Sequence, residues 1–391
     1  MRINCFRRKT EVQKNCSVGP VRLSPSGKRI DFDVSVGPRN FHVYYSSKNT
    51  VLAPSVEATI AATLLPIMVG AGGRCELEGS GSEGFLTSVE RIQDIYSWWL
   101  PRSHRVTFMA SLVSPQEYPE TKRTAAFFSA GVDSFFTLLK HEKEIADLIF
   151  VHGFDISVNQ QNLYGRAVAA VKRVGEQLNK NVIEVETNVR SLLDPYVPCE
   201  MSHGAALASV GHLLSARVNK IYIASSYTYA NLHPWGTHPF LDPLWSTECL
   251  EFIHHGCETD RTEKTFFLAE HDIALRNLRV CWQNPQESYN CGKCRKCLIT
   301  MIDLYAAGML DRCPTFDTPI HIRNVRNIDI EGNNFYSYLK GSLLALEKKD
   351  LDPELRRAVV HALQRKTYMK KMGNLIKMMV KDTARKVKNL K

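Results

Sequence analysis

Residues 129–134 of the chain, SAGVDS, combine small side chains with two hydroxyls and a carboxylate. The apolar residues 125–128 before them predict a buried strand, and the apolar pattern from Phe135 onward predicts a helix. A small-residue loop between a strand and a helix presents backbone N–H groups and a helix N-terminus, which bind anions. A phosphate or pyrophosphate is therefore the expected ligand. The alternative is an ordinary turn, capped by Asp133 or Ser134.

Four cysteines have the spacing of a metal site. Cys291, Cys294 and Cys297 form a CxxCxxC pattern, and Cys281 precedes the first of them by ten positions. Four thiolates fill every position of a tetrahedral site, the usual arrangement of structural Zn²⁺. An iron–sulfur cluster and incidental free thiols are the alternatives. The other seven of the eleven cysteines lack such spacing and are expected to be ordinary buried or surface residues.

A third group lies in residues 226–248, which are rich in aromatic, histidine and proline side chains and follow a predicted strand. Long loops in compact domains are usually functional or disordered, and the aromatic content argues against disorder. We expect four side chains to hold a planar, polar substrate by stacking and hydrogen bonding: His233, Trp235, His238 and Asp242. The alternative is a packed loop whose histidines serve only the fold.

Composition sets the class of protein. The 391 residues, 44% of them apolar, suffice for two or three domains with real cores. We expect no transmembrane segment and no signal peptide, and eleven cysteines without an export signal predict a reducing cytoplasm. The net charge of +10 is concentrated between Arg365 and Lys391, where ten basic residues accompany one acid. The remainder of the chain is therefore near neutral.

Residues 1–118 are predicted to form a smaller, strand-rich α+β domain. Alternating and β-branched patterns predict strands over residues 29–35, 41–45 and 106–112. Helices are expected over 55–68 and 86–99, with a loop at 79–84 between them. No catalytic group of residues stands out here, which favours a structural or substrate-shaping role. Residues 114–123 have the proline and mixed charge of a linker.

After the linker, strands and helices alternate. Strands are predicted over 147–153, 181–187 and 220–226, and helices over 159–179 and 204–218. This alternation predicts an α/β fold, a doubly wound parallel sheet with helices on both faces. Ligands of such sheets bind at the carboxyl ends of the strands. Three segments should therefore share one rim: residues 129–134, 153–155 and 225–231.

The first of these segments resembles the SGGxDS pyrophosphate loop of the N-type ATP pyrophosphatases, or PP-loop enzymes. Ala130 stands where that family usually has glycine, which is acceptable at negative φ and strained at positive φ. The later Cys281-Trp282 and CGxCxxC pattern resembles the zinc segment of the 7-cyano-7-deazaguanine synthase branch, and Lys264 is the candidate for a lysine that precedes it there. The resemblance covers about residues 124–310.

Two segments depart from the synthases. Residues 198–204, PCEMSHG, replace a Pro-Gly-Arg-Asn-like segment, and residues 227–245 also differ. Because these are the places where the deazaguanine base would be read, we expect a divergent paralogue with a different acceptor.

The resemblance implies a PP-loop (HUP-like) domain over residues 119–315 that uses ATP, Mg²⁺ and Zn²⁺. The phosphates would be bound by Ser129, Ala130, Gly131, Val132, Asp133 and Ser134. Asp133, Ser134 and Lys264 would be catalytic, and Asp133 would either help hold Mg²⁺ or cap the helix. A substrate carboxylate or amide oxygen would attack the α-phosphorus and release pyrophosphate. Ammonia or an amine would then displace AMP, which makes the protein an ATP-dependent C–N ligase.

Other functions stay open. The loop is also consistent with a nucleotide-sensing module in a multiprotein complex, such as an anti-phage defence complex. Residues 316–391 are predicted to be a helical extension whose basic tail contacts nucleic acid, a membrane or a protein partner, or packs on its own body. A tRNA-thiolating enzyme would need a catalytic cysteine beside the ATP site, and Cys199 is the candidate.

Overall fold

The computed structural model describes residues 15–113, 123–330 and 333–365 of the chain. The strands in these residues are β1 (Cys16–Val18), β2 (Arg22–Leu23), β3 (Arg29–Val36), β4 (Arg39–Ser47), β5 (Gly73–Ser82), β6 (Val106–Val113), β7 (Arg123–Phe127), β8 (Ile145–His152), β9 (Asn181–Thr187), β10 (Val218–Ala224) and β11 (Glu251–His255). The helices are α1 (Val56–Gly70), α2 (Glu83–Trp99), α3 (Val132–Lys140), α4 (Gln161–Gln177), α5 (Arg190–Leu193), α6 (Cys199–Leu213), α7 (Arg261–Ala269), α8 (Asp272–Asn277), α9 (Arg295–Ala307), α10 (Ile322–Arg326), α11 (Asn333–Lys348) and α12 (353–365).

Nine strands form one mixed sheet in the order β1-β3-β4-β9-β8-β7-β10-β11, with β2 paired to β3. The five strands β9, β8, β7, β10 and β11 pair with one another in parallel. β1, β2 and β4 pair antiparallel with β3, and β4 also pairs antiparallel with β9. β5 and β6 form a separate two-stranded parallel sheet.

Helices cover both faces of the parallel strands, as the alternation of side chains on β7 shows. Ala125 and Phe127 belong to an apolar core that includes α1 and α6. Ala126 and Phe128 belong to a second core that includes α3 and α4. The α/β prediction is therefore confirmed for this part of the fold, because successive strand residues point to opposite faces.

The N-terminal strands extend this sheet, which is therefore mixed rather than wholly parallel. Tyr45 and Ser47 of β4 pair with Thr187 and Val185 of β9. The hydroxyl of Tyr45 also lies 2.8 Å from that of Ser209 in α6. Without β4, β9 would be an edge strand with unpaired backbone groups. Residues on both sides of position 118 thus share one sheet and one core, while the domain boundaries at 118 and 315 stay predictions.

Two local predictions differ from the structure. Residues 79–84 are not a loop, because β5 continues to Ser82 and α2 begins at the next residue. The Ser82 hydroxyl accepts the N–H of Phe85, which caps α2 directly at the strand end. Helix α6 begins at Cys199, five residues before the predicted start.

The basic tail beyond residue 365 and most of the predicted linker lie outside the described residues. Within the ranges that the structure describes, no helix is both long and apolar enough to cross a membrane.

The strand order reverses between β7 and β10. From β7 the chain adds β8 and β9 on one side and then returns to place β10 and β11 on the other. The helices that leave two such strands diverge, which opens a crevice at the carboxyl ends. Residues 129–134 follow β7 and residues 225–231 follow β10, so both predicted segments lie at this crevice.

Candidate functional site

The loop after β7 turns sharply at Ala130, whose φ is +58°. An L-residue in this left-handed region costs about 1–2 kcal/mol relative to glycine. The Ala130 side chain is buried, and its carbonyl accepts the N–H of Arg279 at 2.8 Å. Ala130 therefore adopts the strained conformation, at the position where the family that it resembles usually has glycine.

Helix α3 begins immediately after this turn. The Gly131 carbonyl accepts the N–H of Phe135 at 2.9 Å, and the Ser134 hydroxyl lies 3.1 Å from the Gly131 nitrogen. The Ser129 hydroxyl is 3.4 Å from that of Ser134, so both hydroxyls line the same turn. First-turn N–H groups such as that of Val132 have no intrahelical partner. This end of α3 thus has the donors that an anion requires.

Asp133 in this first turn is held by two cations. Its two carboxylate oxygens lie 2.8 Å from Arg261 Nη1 and 3.3 Å from Lys264 Nζ. The Asp133 side chain is 19% exposed, and those of Arg261 and Lys264 only 6% and 2%. Burial alone would raise the pKa of Asp133, but Lys264, Arg261 and Lys296 outweigh it and hold that pKa below its usual value. The group is therefore a largely buried cluster with an ionised carboxylate.

Helix α7 delivers both cations because residues three apart share a helix face. Its first turn is fixed by Asp260, whose carboxylate accepts the N–H of Glu263 at 2.9 Å. Lys264 Nζ also donates to the Ser225 carbonyl at 2.8 Å, which ties α7 to the end of β10. Arg261 stacks over the ring of Tyr338, 5.7 Å from its centre.

Sequence reasoning singled out Lys264 and missed Arg261, Arg279 and Lys296. Arg279 is buried, and its Nη2 donates to Asn284 at 2.7 Å. Within the part of the chain that the structure describes, Arg279 Nε has no hydrogen-bond partner and the Arg279 guanidinium forms no ion pair. Lys296 contributes positive charge toward Asp133 from α9. The three-residue spacing of Arg261 and Lys264 was the one local signal available.

A small cleft that is open to solvent lies beside the Asp133 cluster. Its walls come from residues 226–231, the first turn of α7 and α11. The rings of Tyr227 and Tyr338 are nearly parallel, with centres 6.4 Å apart. The Tyr338 hydroxyl donates to the Ser226 carbonyl. The cleft therefore offers aromatic faces and a guanidinium to a planar, polar ligand.

The four predicted substrate residues separate into two pairs. His233 and Trp235 pack against Tyr227, with ring centres 4.5 and 5.1 Å away. His238 is buried against Trp99, at 5.4 Å.

Asp242, the fourth residue, is fully buried, and its carboxylate lies 2.6 Å from His254 Nδ1. Burial lowers the pKa of His238 to about 4. The second pair therefore stabilises the loop, while the first pair packs against Tyr227, a residue that lines the cleft.

Close backbone packing holds this loop on α6. A Cβ atom at Gly204 would collide with the carbonyl oxygen of Gly236, so a side chain at position 204 would displace the loop. The Gly236 N–H donates to the Glu200 carbonyl at 2.7 Å. His203 Nε2 lies 3.1 Å from the Thr237 hydroxyl.

The predicted metal ligands are brought together. The sulfur atoms of Cys281, Cys291, Cys294 and Cys297 all lie within 4.8 Å of one another. Two of these pairs are 3.9 and 4.0 Å apart, close to the ~3.8 Å expected between sulfurs that share a tetrahedral Zn²⁺ at 2.3 Å. None of the four forms a disulfide. The cluster fits a four-thiolate metal site such as zinc.

The backbone around the cluster is arranged as metal thiolates require. The N–H of Cys294 lies 3.2 Å from the Cys291 sulfur and would stabilise its negative charge. Asn290, missed at the sequence level, is buried, and its Oδ1 accepts the N–H groups of Val280 and Cys281. Because Arg279 N–H donates to the Ala130 carbonyl, the metal segment also supports the loop after β7.

Replacing Ala130 with glycine is expected to change the free energy of unfolding by less than ~1 kcal/mol. The strain relieved, about 1–2 kcal/mol, is offset by the loss of a buried methyl and by the greater freedom of unfolded glycine. Ala130→Val should instead destabilise the protein strongly, since a β-branched side chain disfavours positive φ. Urea unfolding of both variants measures this. A large loss of unfolding free energy in the glycine variant would contradict the left-handed conformation of residue 130.

Asp303 of α9 is a fully buried carboxyl group beneath the cleft. Its Oδ1 accepts the hydroxyls of Ser342 at 2.6 Å and Thr262 at 3.4 Å, while Oδ2 has no partner among the described residues. Burial raises the pKa of Asp303 to about 7, against the partial opposition of Ser342, Arg261 and Thr262. Asp303 thus joins α7, α9 and α11 chiefly as a neutral acid.

An acid whose pKa is higher in the folded protein binds its proton more tightly there. The folded state therefore loses stability as pH rises from the unfolded pKa near 4 to about 7. Asp303→Asn should remove this loss and make the protein more stable than the wild type, by clearly more at pH 8 than at pH 5. Thermal melts at both pH values measure it. An equal change at both would contradict the assignment.

Comparison with protein-family models, with curated proteins and with solved structures finds no match for this chain. What the chain does is therefore inferred from its own residues.

Proposed function

We propose that this protein is an ATP-dependent adenylating enzyme of the PP-loop type, related to the 7-cyano-7-deazaguanine synthases but acting on a different acceptor. The observation that carries the proposal is the position of residues 129–134. They join the central strand β7 to α3 at the reversal of strand order, with Arg261 and Lys264 beside them. Dinucleotides and nucleotides bind open α/β sheets at this point.

In this proposal the loop receives the pyrophosphate portion of ATP. The Ser129 and Ser134 hydroxyls and the first-turn N–H groups donate to phosphate oxygens. Arg261 and Lys264 stabilise the negative charge that develops as pyrophosphate leaves. Such electrostatic stabilisation is usually the largest single contribution to an enzyme's rate enhancement. Asp133 orients both cations. Arg279 supports the loop through its backbone N–H, which donates to the Ala130 carbonyl at 2.8 Å.

The residues present suit the two metals differently. The four cysteines occupy every position of a tetrahedral site, so Zn²⁺ would be structural and supply folding energy rather than chemistry. Mg²⁺ keeps several waters and is usually held by one or two carboxylates and the substrate phosphates. Asp133 is the only carboxylate that we identify in the loop, and it is already paired. Mg²⁺ would therefore be held chiefly by ATP itself.

The cleft is the proposed acceptor site. Tyr227 and Tyr338 offer faces for a planar group, and Arg261 offers a fork that binds a carboxylate or an amide oxygen. The acceptor oxygen would attack the α-phosphorus, and an amine or ammonia would then displace AMP. Because α11 lies outside residues 124–310, the wall that contains Tyr338 is expected to give this chain its own specificity.

The test is pyrophosphate release by the zinc-loaded protein with ATP, Mg²⁺, ammonia and a cellular metabolite extract. Release that requires the extract is the expected result, and fractionation of the extract would identify the acceptor. Measured ATP binding with no pyrophosphate release under any condition would contradict the proposal. It would instead favour a nucleotide-sensing module, for which the strained Ala130 is the supporting observation.

A further inference from the structure

Among the residues that the structure describes, Arg279 is a buried arginine without a counter-ion. It is 4% exposed, and no carboxylate in this part of the chain pairs with its guanidinium. Taking an ionised group out of water is costly, so charged side chains at this depth normally have a partner of opposite charge. An arginine cannot avoid the cost by losing its proton. This burial therefore points to an anionic ligand.

Contacts at both ends of Arg279 place it between the loops that follow β7 and β8. Its backbone N–H donates to the Ala130 carbonyl at 2.8 Å, and its carbonyl oxygen lies 3.5 Å from the position that a Cβ atom would take on Gly131. At the other end, Nη2 donates to Asn284 Oδ1 at 2.7 Å. Asn284 Nδ2 donates in turn to the Asp155 carbonyl, also at 2.7 Å. The guanidinium is therefore held at the carboxyl ends of two adjacent parallel strands.

The guanidinium retains donors that the protein does not use. Nη2 binds Asn284, whereas Nε is enclosed and has no hydrogen-bond partner among the described residues. Nη1 donates to no described residue either, and it is not enclosed as Nε is. A ligand can therefore approach the guanidinium through Nη1. Hydrogen bonds from an arginine to phosphate oxygens are charge-assisted and among the strongest in proteins.

The segment that holds Arg279 has a strained backbone. Asn284, Gln286 and Glu287 all have positive φ, between +47° and +55°. Asparagine tolerates this conformation better than most residues, and here its amide bridges Arg279 to residue 155. Glu287 accepts the N–H of Leu163 in the first turn of α4 at 2.8 Å, which anchors the segment. Strain of this kind is concentrated at ligand-binding sites, where the surrounding structure maintains it.

We propose that Arg279 binds a phosphate group of ATP at the loop of residues 129–134, with Asn284 as the residue that positions it. This inference rests on the proposed adenylating function. Arg261 and Lys264 reach the first turn of α3 from α7, whereas Arg279 reaches the preceding turn from the metal segment. The phosphates would thus meet cations from two separate elements, together with the N–H groups at the beginning of α3.

Arg279 differs from the other two cations in what its charge does without a ligand. Asp133 neutralises part of the charge of Arg261 and Lys264. Arg279 has no such partner among the described residues, so its whole charge is available to an anion. Binding of a phosphate would also offset the cost of burying the guanidinium. The ligand should therefore stabilise the fold through Arg279.

Calorimetric titration of the full-length, zinc-loaded protein with inorganic pyrophosphate tests this role. Arg279→Met and Arg279→Gln remove the charge, and the glutamine keeps a donor for Asn284. Both should weaken pyrophosphate binding at least tenfold. Arg190→Met is the matched control, because Arg190 donates to the Phe154 carbonyl at the same edge of the sheet but is already paired with Asp194. It should bind as the wild type does. Wild-type affinity in both Arg279 variants would overturn the proposal, as would an equal loss in the control.

Thermal melts separate phosphate binding from a purely structural role. Without ligand, Arg279→Met should melt at or above the wild type, because an apolar side chain replaces an unpaired buried charge. Pyrophosphate should raise the midpoint of the wild type and leave that of the variant unchanged. An equal rise in both proteins would show that the guanidinium serves only the fold. A wild type that binds neither pyrophosphate nor ATP would refute the adenylating function as well, whereas wild-type binding that is independent of Arg279 would refute this inference alone.

Discussion

Replacing Asp133 with asparagine is expected to lower pyrophosphate release at least a hundredfold and the free energy of unfolding by about 3–5 kcal/mol. The substitution keeps the shape of the side chain but removes the charge that compensates Arg261 and Lys264. Both cations are almost completely buried, at 6% and 2% exposure, so each would be left without a counter-ion. Urea denaturation measures the stability, and a coupled pyrophosphate assay at low temperature measures the activity.

A matched control separates lost activity from lost stability. Asp147 is also a buried aspartate held by two cations, Arg123 and Arg217, with contacts of 2.8–3.0 Å. It lies near the beginning of β8, whereas residues 129–134 follow the carboxyl end of β7, so the two sites are at opposite ends of the parallel strands. Asp147→Asn should therefore destabilise the protein, by less because Arg123 and Arg217 are 36% and 34% exposed, and leave the activity of the folded fraction unchanged. Equal activity in both variants would contradict a role for Asp133 in the reaction.

Removing the metal is the second large effect that we expect. Zinc that binds only the folded protein stabilises it by about 4 kcal/mol when free zinc is a thousand times its dissociation constant. Chelation should therefore lower the thermal midpoint and expose the core of α9, because Cys294 and Cys297 lie at the beginning of that helix. ATP binding should weaken as well, since Arg279 joins the metal segment to Ala130. Metal analysis should find one zinc per chain.

Cysteine substitutions provide the control for this experiment. Cys297→Ala should abolish zinc binding and reproduce the loss of stability caused by the chelator. Cys313→Ala removes a thiol that is equally buried but donates to the Leu275 carbonyl instead of joining the cluster. It should keep the metal and lose only the packing of one side chain. A Cys297→Ala protein that retains full stability and zinc would contradict the four-thiolate site.

The sequence alone determined the features that depend on neighbouring residues. Residues 125–135 predicted a strand, a small-residue turn and the start of a helix, and the structure has β7, the turn and α3 there. The CxxCxxC spacing predicted the cluster of four sulfurs, because ligands so close along a chain need little further organisation to meet. Alternation predicted β3, whose side chains are buried at every second position. Such patterns follow from backbone periodicity.

Tertiary structure decided whatever joins distant parts of the chain. Arg261 and Lys264 reach Asp133 across 128 and 131 positions, and no local pattern encodes that pairing. The N-terminal strands extend the main sheet because β4 pairs with the otherwise free edge of β9. Hydrophobic alternation in β4 predicts a strand but does not specify which strand it pairs with.

The conformation of Ala130 was left open by its sequence, because alanine tolerates both signs of φ at different costs. The burial of the Ala130 side chain and the hydrogen bond from the Arg279 N–H to the Ala130 carbonyl hold residue 130 in the left-handed conformation. Asp242, expected to touch a substrate, is instead fully buried against His254, because the long loop folds back onto β11. Side-chain type set what each residue could do, and the long-range packing of the sheet set which partner it met.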